Sequence, residues 1–161
     1  MTAIAPKLEP LKQPPDPFGL AYAYLNRRER TTEEVRSRLL QSGIEEDTVS
    51  VVIEELQQFG YLDDRRYARV FAEDKRRLEQ WGNERITRAL RERGIGAELI
   101  TAALAELPEH DELGQALELL QRRFPSGPVE PRDRERAFGV LVRKGYDTEL
   151  AADALRAWSK Q

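Results

Sequence analysis

The chain has 161 residues, a length that fits one domain or a few small units that share one core. Charged residues make up 34% of it and the net charge is −3, which excludes a uniformly basic coat for nucleic acid but not a local basic patch. Because cysteine is absent and His110 is the single histidine, disulfides, thiolate metal sites, cysteine nucleophiles and two-histidine zinc sites are excluded.

The first 17 residues hold five of the nine prolines and lack periodic apolar residues, so we expect a disordered or extended arm over 1–17. Asp16 and Pro17 then form a typical helix start, an N-cap followed by proline at the first helical position. No apolar run reaches the roughly 18 residues of a membrane span, and the start of the chain lacks an apolar signal core. We therefore expect a cytoplasmic protein that does not enter a membrane.

Beyond the arm the apolar periodicity is helical throughout, and an internal repeat organises it. Three segments align without gaps: 39–56, 90–107 and 141–158. Each carries a glycine at the same position, and these repeat glycines, 51 residues apart, are Gly43, Gly94 and Gly145. Such regular spacing over three copies indicates stacked supersecondary units.

Each repeat predicts two helices joined at its glycine. A short helix comes first, and its candidate N-caps in the three copies are Thr32, Asn83 and Asp133. The glycine ends this helix, because a left-handed residue just past a helix costs glycine little. In the second helix, apolar residues fall 6, 9, 10 and 13 positions after the glycine and form one stripe.

A third apolar-periodic stretch lies upstream of each helix pair, which predicts three units of three helices. The upstream stretches are 17–28, 63–79 and 110–123. The predicted units are 18–62, 63–108 and 109–161. One unit has too small a core to be stable alone, so neighbours are expected to stack. The predicted fold is therefore all-α, with three tandem three-helix repeats in an elongated, curved solenoid.

No arrangement of side chains predicts catalysis, a metal site or a cofactor site. A Gly-rich phosphate loop is missing, and His110 is better placed to start a helix than to serve a catalytic triad. The paired carboxylates Asp63 and Asp64 have no further ligands nearby, and helix capping is the favoured role for them. Five aromatic residues could stack on bases but are more typical of core or groove packing: Tyr22, Tyr24, Tyr67, Phe71 and Trp81.

Charge alternates along the chain with the repeat. Residues 41–64 and 94–121 carry seven and six acids and no base, whereas 65–93 and 122–144 have net charges of +5 and +4. Stacking equivalent helices would align these segments into a basic face opposed to an acidic face. A face of one sign attracts polyanions and acidic protein grooves. The alternative is a set of solvated helix surfaces with local ion pairs.

Three segments of the chain resemble the RecX family of bacterial recombination regulators. Residues 59–76, FGYLDDRRYARVFAEDKR, resemble the family's hallmark segment. Residues 81–95, WGNERITRALRERGI, resemble the segment that follows it, and residues 23–44, AYLNRRERTTEEVRSRLLQSGI, resemble the family's first repeat. The family-motif positions are Gly60, Tyr61, Leu62, Asp63, Asp64, Tyr67 and Ala68. We interpret them as a junction between the first two units, in which a glycine turn ends one helix and Asp63 caps the next.

The resemblance implies a regulator, mainly an inhibitor, of the RecA recombinase, without enzymatic activity and without a cofactor. It implies binding along the groove of the RecA filament on single-stranded DNA. It also implies limits on filament growth, ATP hydrolysis, strand exchange and the co-protease activity that triggers the SOS response. The expected partner is thus the RecA–DNA filament, with only weak, non-specific binding to DNA, and we expect the chain to be a monomer.

The charge map, and not a family motif, supplies the candidates for contact with the filament. Arginine suits this role because its planar fork pairs bidentately with carboxylates and phosphates. The ten candidates are Arg27, Arg28, Arg65, Arg66, Arg69, Arg76, Arg77, Arg85, Arg88 and Arg91. Two alternatives remain open: a stand-alone helical DNA-binding module of the transcription-factor type, and a structural adaptor for another protein.

Overall fold

The computed structural model describes residues 15–108 and 112–160, which form nine α-helices and no strand. The helices are α1 (Pro17–Leu25), α2 (Thr32–Gln41), α3 (Glu46–Gln58), α4 (Asp64–Glu79), α5 (Asn83–Glu92), α6 (Ala97–Glu106), α7 (Glu112–Arg123), α8 (Pro131–Lys144) and α9 (Thr148–Trp158). The all-helical repeat architecture that the sequence predicts is confirmed. Most of the predicted arm, and the helix start predicted at His110, lie outside the described residues.

Each set of three helices encloses its own hydrophobic cluster, and we call the sets the first (α1–α3), second (α4–α6) and third (α7–α9) units. The same repeat position gives each cluster a fully buried leucine: Leu39, Leu90 and Leu141. Among the described residues no cluster extends into a neighbouring unit, so the expectation of one core shared by stacked units is wrong. The apolar stripes face inward within their own unit, which leaves mainly polar groups to join one unit to the next.

The repeat glycines end α2, α5 and α8 as predicted. The φ angles of Gly43, Gly94 and Gly145 are 83°, 78° and 94°, in the left-handed region that glycine enters at little cost. The residue after each glycine is buried, and its N–H donates to the carbonyl five residues earlier at 3.1–3.2 Å. These residues are Ile44, Ile95 and Tyr146. Each helix end is therefore closed by a backbone hydrogen bond and an apolar contact.

The helix starts agree with the predicted caps only in part. Asp16 caps α1 as predicted. Helices α2 and α5 are capped by Thr31 and Gly82, each one residue before the predicted Thr32 and Asn83. Thr31 is favoured because Glu34 stands three residues after it, and the two form a reciprocal capping box.

Helix α8 begins three residues earlier than its counterparts in the repeat. Its N-cap is Glu130 and Pro131 is its first residue, so the fixed φ of proline sets the start. Asp133, the predicted N-cap, instead lies in the first turn, where its carboxylate accepts from the N–H groups of Val129 and Glu130 at 3.0 Å and 2.9 Å. The proline-rich insertion thus lengthens α8 at its N-terminal end.

Both junctions between neighbouring units contain a hydrogen bond at the same repeat position, displaced by 51 residues, although the donor is a hydroxyl in one and a backbone N–H in the other. Between the first and second units, the Thr31 hydroxyl donates to the Arg93 carbonyl at 2.6 Å. Between the second and third units, the Gly82 N–H donates to the Lys144 carbonyl at 2.8 Å. Each accepting carbonyl belongs to the residue just before a repeat glycine. The repeat therefore copies the junction as well as the helices.

A carboxylate from the next unit strengthens each junction. Asp64 accepts from the Thr32 N–H at 2.8 Å, and Glu112 accepts from the Asn83 N–H at 3.3 Å. Both donors lie at the N-terminus of a helix, where the first N–H groups have no partner within the helix and the helix dipole favours an anion. Satisfied helix starts thus contribute to both junctions.

Close backbone packing at the junctions requires two of the three repeat glycines for steric reasons. A Cβ on Gly94 would overlap the side chain of Glu33, and a Cβ on Gly145 would overlap Arg85 and lie 2.5 Å from its backbone nitrogen. A Cβ on Gly43 would meet no atom of the described residues within 4 Å. Gly94 and Gly145 therefore each contact a residue of the preceding unit, whereas Gly43 belongs to the first unit and has no such neighbour among the described residues.

We expect Thr31→Ala to destabilise the first junction by about 1–3 kcal/mol, because Thr31 is fully buried and serves two partners. Its hydroxyl donates to the Arg93 carbonyl and accepts from the Glu34 N–H at 3.2 Å, so both would lose a partner away from water. Urea unfolding followed by circular dichroism measures the loss. Thr31→Ser keeps the hydroxyl and is expected to retain most of the free energy of unfolding that Thr31→Ala loses. Equal losses of stability in the two variants would contradict the assigned hydrogen bonds.

Candidate partner-binding surface

Four of the ten predicted contact arginines form ion pairs within the chain. Arg65 lies 2.7 Å from Glu106, and Arg66 lies 3.1 Å from Glu29. The other two pairs are Arg28–Glu34 at 3.0 Å and Arg77–Asp74 at 3.4 Å. Because the four arginines are exposed, water screens these pairs, and a partner that offers another carboxylate or phosphate can exchange for them.

Ion pairs join the acidic helices α3 and α6 to arginines of other helices. Arg65 of α4 reaches Glu106 of the acidic helix α6, and Arg36 of α2 reaches Glu46 of the acidic helix α3 at 2.5 Å. The predicted basic and acidic faces are therefore joined across helix boundaries. At these two positions the structure has local ion pairs, and an opposed basic and acidic face stays a prediction.

Arg76 differs from the other candidates because only 8% of its surface is exposed. It continues the buried series Ala68 and Ala72 at intervals of four residues along α4, and its guanidinium donates to the Asn83 side chain. Burial lowers the pKa of Arg76, and Glu112 opposes that effect. Arg76 is thus part of the interior beside α5 and α7, and its prediction as a surface contact does not fit its position.

A buried hydroxyl lies at the junction between the second and third units. The oxygen of Tyr146 is 3.0 Å from the Gln80 carbonyl oxygen and 3.1 Å from Gln115 Oε1. Burial raises the pKa of Tyr146, and nearby Glu112 raises it further. The hydroxyl therefore stays protonated and can donate to either acceptor, which holds the third unit to the end of α4.

The aromatic rings of the second unit are covered by cations of the same chain. Phe71 has its ring centroid 6.1 Å from that of Tyr67 and 6.3 Å from that of Trp81. The Arg93 guanidinium lies 4.7 Å from the centroid of Phe71, and that of Arg85 lies 4.0 Å from the centroid of Trp81. Cation–π attraction favours this arrangement. Because the ring faces are occupied, groove packing is favoured over stacking on nucleic-acid bases.

Four cations converge at the boundary between the second and third units, in a depression of about 640 Å³ that we call the junction groove. Its lining residues are Trp81, Arg85, Arg88, Ala89, Glu92, Arg93, Val142 and Arg143. Arg85 donates to the Arg143 carbonyl at 3.1 Å, which ties the two sides of the groove together. With four cations and one carboxylate in its lining, the groove is net positive. It brings two of the ten candidates, Arg85 and Arg88, into one site.

A larger cleft of about 880 Å³ shares Arg143 with the junction groove and lies between α7 and α8; we call it the α7–α8 cleft. Its cations are Arg122, Arg123, Arg136, Arg143 and Lys144, and its one carboxylate is Glu135. None of these five cations is among the ten candidates. The net charge of +4 over 122–144 indicates that this segment is basic. It does not indicate how α7 and α8 pack, and only that packing brings the five cations to one cleft.

Lys144 shows that the positive charge around the cleft is incompletely balanced. Burial lowers the pKa of Lys144, and Arg85 and Arg123 lower it further, while Glu79 raises it. The ammonium group donates to the Glu79 carbonyl at 2.8 Å, so it is fixed in place by a backbone oxygen. An anion bound nearby would therefore find a preorganised positive site.

The family motif lies where the first and second units meet. Gly60 ends α3 with a φ of 76°, and Asp63 caps α4 by accepting from the Arg66 N–H at 3.0 Å. Asp64 extends to the first unit, where it accepts from the Thr32 N–H. Three further motif residues are buried in the clusters: Leu62, Tyr67 and Ala68.

Two aromatic residues of the same turn are exposed. Phe59 and Tyr61 are 64% and 56% exposed, and the Tyr61 ring meets Tyr22 edge to face at 5.5 Å between centroids. The motif predicts a junction at this turn but not the two exposed rings. A left-handed glycine between two aromatics could have indicated them, because such a turn leaves room at the surface for both neighbours.

Within residues 15–108 and 112–160, no three histidine, aspartate or glutamate side chains lie together as metal ligands. No helix in the same ranges is long and apolar enough to cross a bilayer.

The repeated three-helix units, with a basic groove and a basic cleft, define an all-helical repeat protein. Residues 18–56 match the family model of the first three-helix domain of RecX, and residues 63–104 match that of its second three-helix domain. The chain belongs to the RecX family.

Individual relatives agree with this family. The regulatory protein RecX of Trichlorobacter lovleyi is 33% identical over 142 residues, which cover 86% of this chain and 92% of that protein. The regulatory protein RecX of Deinococcus radiodurans is 34% identical over 139 residues, 85% of this chain but 66% of that longer protein. A crystal structure of RecX from Lactobacillus salivarius shares the fold, with a TM-score of 0.76 at 20% identity over 90% of this chain and 96% of the other.

Proposed function

We propose that this protein regulates the RecA recombinase, mainly as an inhibitor, by binding the RecA–DNA filament. In this proposal it limits filament growth, ATP hydrolysis, strand exchange and SOS co-protease activity, and it acts in the cytoplasm without an enzymatic activity of its own. Membership of the RecX family supports the regulatory role. The observation that carries the proposal is the junction groove, where four cations from two units form one net-positive site.

The physical basis is a rigid contact between several units of the regulator and an acidic surface. Arg88 and Arg91 are exposed on α5, and among the described residues neither lies within 4 Å of a carboxylate oxygen. They can therefore pair with carboxylates of the recombinase or with DNA phosphates without first breaking an internal ion pair. A chain that contacts more than one recombinase subunit would hinder the subunit motions that accompany ATP turnover.

DNA-dependent ATP hydrolysis by the cognate recombinase, titrated with this protein, tests the proposal. We expect wild-type protein to lower the rate, and Arg88→Glu/Arg91→Glu to require about tenfold more protein for the same effect, a loss of about 1.4 kcal/mol of binding. The control is Arg134→Glu/Arg156→Glu, which makes the same change in charge on α8 and α9, away from the groove lining.

Each result bears on a different part of the proposal. If wild-type protein leaves the ATPase rate unchanged, the regulatory function is wrong. If the α5 variant inhibits as well as wild type does, Arg88 of the groove and the neighbouring Arg91 are not the contact. Nanomolar affinity of the chain for one duplex sequence at physiological salt would instead support a stand-alone DNA-binding module, since a filament regulator needs only weak binding with a steep salt dependence.

A further inference from the structure

The α7–α8 cleft combines a basic rim with an excess of uncompensated charge. Arg122, Arg123 and Arg136 are exposed at its edge, and in the described part of the chain no carboxylate oxygen lies within 4 Å of their guanidinium groups. Lys144 adds a fourth positive group held by the Glu79 carbonyl. A single carboxylate, Glu135, lines the cleft. The rim is therefore suited to several carboxylates or phosphates at once.

Three apolar residues, which we call the floor, also line the cleft and distinguish it from a simple basic patch. They are Leu119, Phe124 and Val140. The ring of Phe124 packs against Trp158 with 5.8 Å between centroids, so this ring is held in place by the core of the third unit. An apolar side chain of a ligand could be buried here while its charged neighbours reach the rim.

Gly139 makes the shape of the cleft possible. It lies in the interior of α8, where glycine costs about 1 kcal/mol relative to alanine. A Cβ at this position would lie 3.0 Å from Nη1 of Arg143, so the guanidinium rests directly over the glycine. A helix-weakening residue is thus found where the Arg143 guanidinium approaches α8 closely, and both residues line the cleft beside Val140.

We propose that the α7–α8 cleft binds an acidic peptide segment of a partner protein, with an apolar side chain of that segment on the Leu119–Phe124–Val140 floor. The carboxylates of the segment pair with Arg122, Arg123 and Arg136 at the rim. A peptide is favoured over a nucleic acid because two of the three floor residues, Leu119 and Val140, are aliphatic and only Phe124 is aromatic, whereas bases stack on aromatic side chains.

This inference does not rest on the proposed RecA function. The cleft belongs to the third unit, apart from the contribution of Gln80, and it shares only Arg143 with the junction groove. A segment of about 12 residues would span about 18 Å as a helix, enough to place an apolar anchor between two acidic turns. The binding can therefore be measured with the full chain and a synthetic peptide alone.

Fluorescence anisotropy with a labelled peptide of about 12 residues, in which glutamates flank two leucines four positions apart, provides the test. We expect saturable binding that weakens about tenfold in Arg123→Glu/Arg136→Glu and is unchanged in Arg88→Glu/Arg91→Glu. A peptide with serine in place of both leucines keeps the charge and is expected to bind about tenfold more weakly, because it loses the apolar anchor.

Gly139→Leu tests the floor without altering any charge. It places a side chain over the cleft at a position where helix propensity improves, so the variant is expected to fold, with a wild-type circular dichroism spectrum, and to lose peptide binding about tenfold. Equal affinity for the leucine and serine peptides, or undiminished binding by Gly139→Leu, would overturn the apolar anchor and with it the proposal. Tighter binding of a labelled oligothymidine, displaced by the same peptide, would assign the cleft to nucleic acid instead.

Discussion

Gly145→Ala is expected to destabilise the protein by about 3 kcal/mol or more, whereas Gly43→Ala is expected to cost about 1–2 kcal/mol. Both glycines have a left-handed φ, 94° and 83°, so the backbone strain of an alanine is similar at the two positions. They differ in surroundings: a Cβ on Gly145 would overlap Arg85, and one on Gly43 would meet nothing within 4 Å of the described residues. The difference between the two variants therefore isolates the contact between the second and third units.

Thermal and urea unfolding of the two variants, followed by circular dichroism, measure this difference. Gly94→Ala gives a third value, which we expect between the other two because the atoms it would meet belong to the Glu33 side chain and not to backbone. Hydrogen exchange should then show faster opening of α5 and α8 in Gly145→Ala. Equal losses at Gly43 and Gly145 would mean that the close packing at the junction contributes nothing to stability.

Leu39→Ala is expected to destabilise the first unit by about 2–5 kcal/mol while leaving the third unit protected. Leu39 is fully buried, and the cluster around it consists of residues from α1 to α3 and the loops that follow α2 and α3. Since the three clusters are separate among the described residues, a cavity in one removes no apolar contact from the others. Coupling must pass through the polar junctions, which are few.

Hydrogen exchange measured by mass spectrometry can follow the three units in one sample. In Leu39→Ala, peptides from α1–α3 are expected to exchange faster, those from α4–α6 slightly faster, and those from α7–α9 at the wild-type rate. Leu141→Ala is the matched variant at the same repeat position. In it we expect peptides from α7–α9 to exchange fastest and those from α1–α3 to exchange at the wild-type rate. A uniform rise over all nine described helices would show that the chain unfolds as one cooperative unit.

The repeat made much of the fold predictable. A glycine that must be left-handed, an apolar residue after it and a stripe at fixed spacing are local features, and all three recur where the sequence places them. The start of α2 was missed by one residue because Thr31 and Thr32 are both competent caps, and the capping box with Glu34 decides between them. The start of α5 was missed by one residue because Gly82 takes the N-cap position without a side-chain hydrogen bond, and Asn83 is already helical. The start of α8 was missed because Pro131 overrides the repeat.

The partner surface was less predictable because it depends on distances between units. Position 76 carries an arginine in a strongly basic segment, yet its interval from Ala68 and Ala72 places it inside. The α7–α8 cleft forms from residues of two helices and a loop, and only their packing brings Arg122 and Arg136 to one rim. Charge counted along the chain indicates how much positive charge a segment holds, but not which side chains converge.

The hydrogen bond found at both junctions determines the end of the array to which a further unit could be added. An additional unit fused upstream of α1 could set the start of its middle helix on Gly43 with the hydrogen bond already used at Gly94 and Gly145, because the Ser42 carbonyl occupies the place of the Arg93 and Lys144 carbonyls. Downstream the same step would fail, since α8 begins three residues too early to copy Thr31 or Gly82. An engineered array built from this chain should therefore be lengthened at its amino-terminal side, with α8 and its Pro131 start kept in the last unit.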